Sequence, residues 1–169
     1  MKAYQDASLA PVRRAKALLE EMTLAEKIGQ LNQRLYGFRI YERKCVNGED
    51  TIELSEEFCQ EVEKYSGLGV LYGLYRADPW ADKNYETGLT GVLSKKAYNQ
   101  VQRYVLEHSR LGIPVMMSSE CPHGHQALDG YLLPVNLLAG ATFDPAMVRA
   151  AYRVSGRQLQ NMGVDLALM

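Results

Sequence analysis

The sequence predicts an α/β fold built on about three parallel core strands. One pattern occurs three times: a helical stretch ends, a glycine follows, and a short apolar run begins. The three cases are Tyr65-Ser66-Gly67 into 68–72, Arg110-Leu111-Gly112 into 113–117, and Asn161-Met162-Gly163 into 164–168. Glycine accepts the left-handed conformation that closes many helices. Short, near-continuous apolar runs are the mark of strands buried on both faces. Helices alternating with such strands require a parallel sheet.

Taken in order, residues 11–22 read as a helix, with Ala15, Leu18, Leu19 and Met22 on one face and Pro11 suited to its first turn. A second helix follows at once. Thr23 and Glu26 have capping-box spacing, and Leu24, Ile28 and Leu31 form its apolar stripe. Residues 34–53 read as extended chain around the turn dipeptide Asn47-Gly48. Helices are expected at 55–65, at 94–110, and after Asp144-Pro145, where Asp144 is a natural N-cap and Met147, Ala151 and Val154 give an apolar side.

The chain has 169 residues, enough for one core, and a net charge of -1. A balanced charge offers nothing to a polyanion, so no nucleic-acid partner is expected. No apolar run approaches the roughly 18 residues of a membrane span, and the first residues lack the apolar stretch of a secretory signal. Cys45, Cys59 and Cys121 are odd in number and have no metal-ligand spacing. They read as free thiols in a reducing compartment, and a cytoplasmic location is expected.

In parallel α/β folds, ligands gather at the carboxyl ends of strands. The stretch there richest in polar chemistry is Ser118-Ser119-Glu120-Cys121-Pro122-His123-Gly124-His125-Gln126. Each residue also has a structural reading: a solvated loop carboxylate, or a histidine bonded to a carbonyl. Three site types fit the cluster. His123 and His125 with Glu120 would make a metal site, though Pro122 and Gly124 favour a loop. Cys121 with a neighbouring histidine would make a nucleophilic pair, without a motif for its oxyanion site. A sugar pocket would use the carboxylate as a hydroxyl acceptor. Arg76 and Trp80 follow the first core strand, near the expected pocket mouth. Arg76 can pair with a carboxylate or reach a hydroxyl. Trp80 can stack on a sugar ring, or simply pack its own loop.

The stretch from Arg110 through Ile113-Pro114 to Glu120 and His123-Gly124 resembles glycoside hydrolase family 3. There, an "lgIP" strand is followed by an acidic residue, two variable residues and His-Gly. Leu133-Pro134 and Ala139–Pro145 resemble the family's "fP…laaTwdp" segment, and 152–168 its next helix and strand. Met22–Leu31 resembles its "MTLEEKIGQL" opening. The resemblance implies the N-terminal part of a (β/α)8 TIM-type barrel, with residues 1–66 a helical and extended lead-in and 67–169 the first barrel units.

It further implies a retaining, exo-acting β-glycosidase acting on a β-linked oligosaccharide or glycoside, of β-glucosidase or β-xylosidase type, with no cofactor and no metal. Glu120 takes the place of the acidic residue that holds hydroxyls of the terminal sugar. Many glucosidase-like members have Asp there, so the longer Glu120 leaves the sugar's identity open. The family's later Arg, its Lys-His pair and its nucleophilic Asp have no match. No catalytic residue is therefore assigned, and substrate binding rests on Glu120 and Arg76. A full barrel takes eight strands and about 250 residues. The expectation is an incomplete barrel, inactive alone and partnered by the missing C-terminal part. A small domain finishing on a central strand is the structural rival. A non-catalytic sugar-binding or protein-interaction module is the functional one.

Overall fold

The computed structural model describes residues 2–169. Helix α1 (Pro11–Glu21) starts on its proline, and α2 (Leu24–Leu31) on a complete Thr23/Glu26 capping box. Strands β1 (Tyr41–Val46) and β2 (Glu49–Leu54) form an antiparallel hairpin. Its turn residues Asn47 and Gly48 have φ of 53° and 81°, the pair of positive values that a tight hairpin turn needs and this dipeptide tolerates. Then come α3 (Glu56–Tyr65), β3 (Val70–Tyr72), α4 (Gly91–Glu107), β4 (Met116–Glu120), the short α5 (Asn136–Gly140), α6 (Pro145–Asn161) and β5 (Leu166–Leu168).

The strands β3, β4 and β5 form a parallel sheet in that order, with β4 central. Tyr72 lies opposite Ser118, and Glu120 opposite Leu168. Side chains alternate across a strand, so Leu71 and Met117 face one side while Val70, Tyr72, Met116, Ser118 and Glu120 face the other. The first side is closed by α3 and α4: Phe58, Val62, Ala97, Val101 and Val105 pack with Leu71 and Met117 in one fully buried cluster. Each larger side chain buried there contributes about 1.5–3 kcal/mol. The other side is open, with Met116 45% and Leu166 41% exposed.

Several expectations are corrected. Residues 35–40 are not strand: Tyr36 makes a lone bridge to Tyr72, and Gly37–Arg39 is a 3-10 turn. The second core strand runs over 116–120 rather than 113–117. Pro114 has no N–H for the ladder, and Gln102 takes both backbone groups of Val115, accepting from its N–H at 3.1 Å and donating to its carbonyl at 2.7 Å. The residue in left-handed conformation after α3 is Ser66 rather than the glycine beside it. The stripes of α1 and α2 are amphipathic but face outward: Leu24 is 74% and Leu31 88% exposed. What α2 buries is Glu26 and Gly29. Likewise α6 buries Ser155 and Leu159, leaving Met147 and Val154 half-exposed. The helix α5 was not expected. Among the described residues no helix is long and apolar enough to cross a membrane.

Glu26 ties α2 to the segment between α4 and β4. Its carboxylate accepts from Arg110 at 2.9 and 2.7 Å and from the Thr23 N–H at 2.8 Å. The Arg110 hydrogen bonds outweigh the cost of burial and hold Glu26 at about 2. A lowered carboxyl pKa stabilises the fold above the unfolded value and loses that contribution as pH falls toward 2. Glu26→Gln is expected to cost about 2 kcal/mol at pH 7. In chemical denaturation the difference from the unsubstituted chain should shrink steadily below pH 4.

Candidate sugar-binding site

Glu120 is the last residue of β4 and Tyr72 the last of β3, on the same face of the sheet. The Tyr72 hydroxyl donates to Glu120 Oε1 at 2.9 Å. Arg76 lies on the turn after β3, where its N–H bonds the Gly73 carbonyl at 3.1 Å. Its Nη1 donates to the Tyr72 hydroxyl and stands 3.9 Å from Glu120 Oε1. Its Nε and Nη2 both donate to Asp78 Oδ2, at 2.8 and 2.5 Å. The Asp78 Oδ1 accepts from the Ala81 N–H at 2.9 Å, so the loop holds the aspartate and the aspartate holds the arginine. The loops after β3 and β4 are themselves joined, by a bridge between Arg76 and Ala127 and by the Ala77 N–H on the Gln126 carbonyl at 3.2 Å.

Burial works to raise the Asp78 pKa, but the Arg76 hydrogen bonds prevail and keep it below its ordinary value. Burial first, and then the bond to Glu120, push Tyr72 up to about 12, so its hydroxyl stays a donor at neutral pH. Trp80 is half-exposed. Its ring meets Tyr36 and Phe38 edge-on at 5.0 Å each, and the Arg76 guanidinium lies 4.6 Å from its centroid. The tryptophan therefore packs its loop and also keeps an open surface beside Arg76.

Glu120 and Arg76, both singled out in the sequence, thus meet at one strand end. Tyr72, Asp78 and Gln33, which bonds the Ser118 hydroxyl at 3.2 Å, were missed. For Tyr72 a signal existed, an aromatic hydroxyl ending an apolar run. For Gln33 there was none.

The rest of the polar stretch plays other parts. Gly124 has a φ of +94°, and a Cβ there would run into the Tyr131 carbonyl, so only glycine fits. His123 touches Gln126 at 3.4 Å. His125 is fully buried edge-on to Tyr75, 6.0 Å between centroids, and neither ring nitrogen has a partner among the described residues. Among the described residues no three His, Cys, Asp or Glu side chains converge on a metal position. Cys121 is fully buried, and burial pushes its thiol pKa up, the reverse of what a nucleophile needs. A cavity of about 650 Å3 lies between α4 and the end of α6, lined by Tyr75, Ser94, Tyr98 and Asn161, and Glu120 is not in its wall.

A three-stranded parallel sheet with helices packed on one face is of the kind found in α/β barrels. The comparisons agree with it. A protein of Formosa agariphila named "Putative beta-xylosidase" is 28% identical over 98% of this chain and 20% of its own length. The solved structure of a β-glucosidase, EmGH1 of Erythrobacter marinus, superposes with a TM-score of 0.69 and 25% identity over 99% of this chain and 19% of that one. The chain therefore spans about a fifth of the length of these relatives. It is similar to glycoside hydrolases, and the three-stranded sheet corresponds to part of such a barrel. No protein-family model matches it.

Two measurements test these assignments. Burial lowers His125 to about 4, so the unfolded chain takes up its proton first as pH falls. Stability should decline between about pH 6.5 and 4 by at most about 1.4 kcal/mol per unit, a slope His125→Phe should flatten. Iodoacetamide should alkylate the exposed Cys45 and leave Cys121 unmodified in the native chain, as read by peptide mass spectrometry.

Proposed function

We propose that the chain supplies the first strands of a retaining, exo-acting β-glycosidase of glycoside hydrolase family 3, in which Glu120 and Arg76 bind hydroxyls of the terminal sugar. The observation that carries this reading is the Glu120 carboxylate: it ends an inner strand, 30% exposed, with a cation 3.9 Å away. A carboxylate on a rigid strand end accepts hydroxyl hydrogen bonds worth about 1.5–3 kcal/mol each. The similarity of almost the whole chain to a protein named as a β-xylosidase and to a β-glucosidase supports a β-linked glycoside as the substrate.

The same reading makes the chain inactive alone. A retaining glycosidase needs two carboxyl groups about 5–5.5 Å apart, one nucleophilic and one able to give a proton. Asp78, the carboxylate that shares Arg76 with Glu120, is locked as an anion by that arginine and is a poor proton donor. The nucleophile must come from elsewhere. The open apolar side of the sheet at Met116 and Leu166, and the exposed Leu132, Val135, Leu137 and Leu138, offer the surface on which the downstream part of the barrel packs.

The test is complementation. The purified chain is expected to leave p-nitrophenyl β-xyloside and β-glucoside intact, and to support hydrolysis when the downstream part is added. In that complex Glu120→Ala should lower kcat/KM by about 100-fold. Turnover by the chain alone at the roughly 1–1,000 per second of ordinary enzymes would refute the proposal.

A further inference from the structure

We propose that Tyr72 is the positioning residue of this site: its hydroxyl ties up Glu120 Oε1, so that Oε2 alone is presented to the sugar. The inference rests on the sugar-binding reading of Glu120. Its support is geometric. Tyr72 and Glu120 end neighbouring parallel strands on the same face, so the backbone register places ring and carboxylate together. The hydroxyl is both an acceptor, from Arg76 Nη1, and a donor, to Oε1 at 2.9 Å. With the Arg76 proton on its lone pair, the phenol has its own proton pointed at the carboxylate. Among the described residues Oε2 makes no hydrogen bond, and the carboxylate remains 30% exposed.

Behind Arg76, Asp78 Oδ2 accepts from its other two nitrogens, Nε and Nη2, and Asp78 is fixed in turn by the Ala81 N–H. The order of command thus runs from loop backbone to Asp78, Arg76, Tyr72 and Glu120. Glutamate has one more rotatable bond than aspartate. A strand-end glutamate left to itself would lose rotamer freedom on meeting the sugar, and Tyr72 removes that loss beforehand.

Two measurements on the 169-residue chain test this. In the first, binding of methyl β-D-xyloside and methyl β-D-glucoside is followed by NMR in the unsubstituted chain, Glu120→Ala and Tyr72→Phe. Tyr72→Phe should weaken binding about tenfold, the worth of one charge-assisted hydrogen bond, with a melting temperature within a few degrees. Binding that Glu120→Ala weakens and folded Tyr72→Phe leaves unchanged overturns the inference and spares the sugar reading. Sugar binding that is absent, or indifferent to Glu120→Ala, counts against the sugar reading instead.

The second measurement does not depend on how Tyr72→Phe folds. In mixed H2O and D2O, a hydroxyl held against Glu120 exchanges slowly and splits the tyrosine 13Cζ resonance of Tyr72 into an isotope-shifted pair. A pair that collapses in Glu120→Ala supports the positioning role. A single averaged line in the unsubstituted chain overturns it.

Discussion

The parallel register of the three-stranded sheet is the constraint on which the site depends. Tyr72 opposite Ser118 puts Tyr72 and Glu120 on one face, because the strand repeat is two residues. A slip of one residue would send Glu120 into the helix-covered core and bring Met117 to the open side. On the other edge of β4, the residue just before β5 fixes the chain against it. The Asp165 carboxylate accepts from the Met117 N–H at 2.9 Å, while the Asp165 N–H donates to the Met117 carbonyl at 2.8 Å. That aspartate occupies both backbone groups of Met117.

The two faces of the sheet have opposite economies. On the helix side, Phe58, Val62, Val101, Leu71 and Met117 close a buried apolar core. On the other side the same strands carry Tyr72, Ser118 and Glu120 among exposed apolar neighbours. A carboxylate beside apolar surface loses part of its hydration, and a nearby cation compensates for it. Arg76 is that cation, shared between Asp78 and Glu120, and its own side chain is 15% exposed. Glu26 and Arg110 repeat the device between α2 and the segment before β4, where a buried carboxylate is matched to a half-exposed guanidinium. In both places one arginine connects segments that are distant in sequence or in loop position. The planar fork of its donors makes this possible where a lysine would satisfy only one partner.

The polar stretch after β4 shows how one sequence cluster divides in space. Glu120 stays on the strand and faces outward, Cys121 and His125 turn into the interior, and Gly124 makes the bend that separates them. Adjacency in the chain suggested a metal site or a thiol nucleophile. Cys121 and His125 are instead buried, and the Glu120 carboxylate is joined to residues more than 40 positions upstream.

The sequence by itself determined the elements whose signals are local. Pro11, the Thr23/Glu26 box, Asn47-Gly48, Ser55 and Asp144 each act within one turn of chain, and each sits where its chemistry predicts. It also offered Glu120 and Arg76 as candidates, Glu120 through its polar stretch and the family resemblance, Arg76 through its place after the first core strand. Tertiary structure alone decided where β4 begins, because the side chain of Gln102 on another element claims the backbone of Val115. It alone decided that the stripes of α1 and α2 lie open, because periodicity says which residues share a face and not what covers it. It alone decided that Tyr72 meets Glu120 and Gln33 meets Ser118: hydrogen bonds across 48 and 85 residues of chain follow from strand register and chain closure, and neither leaves a trace in local sequence.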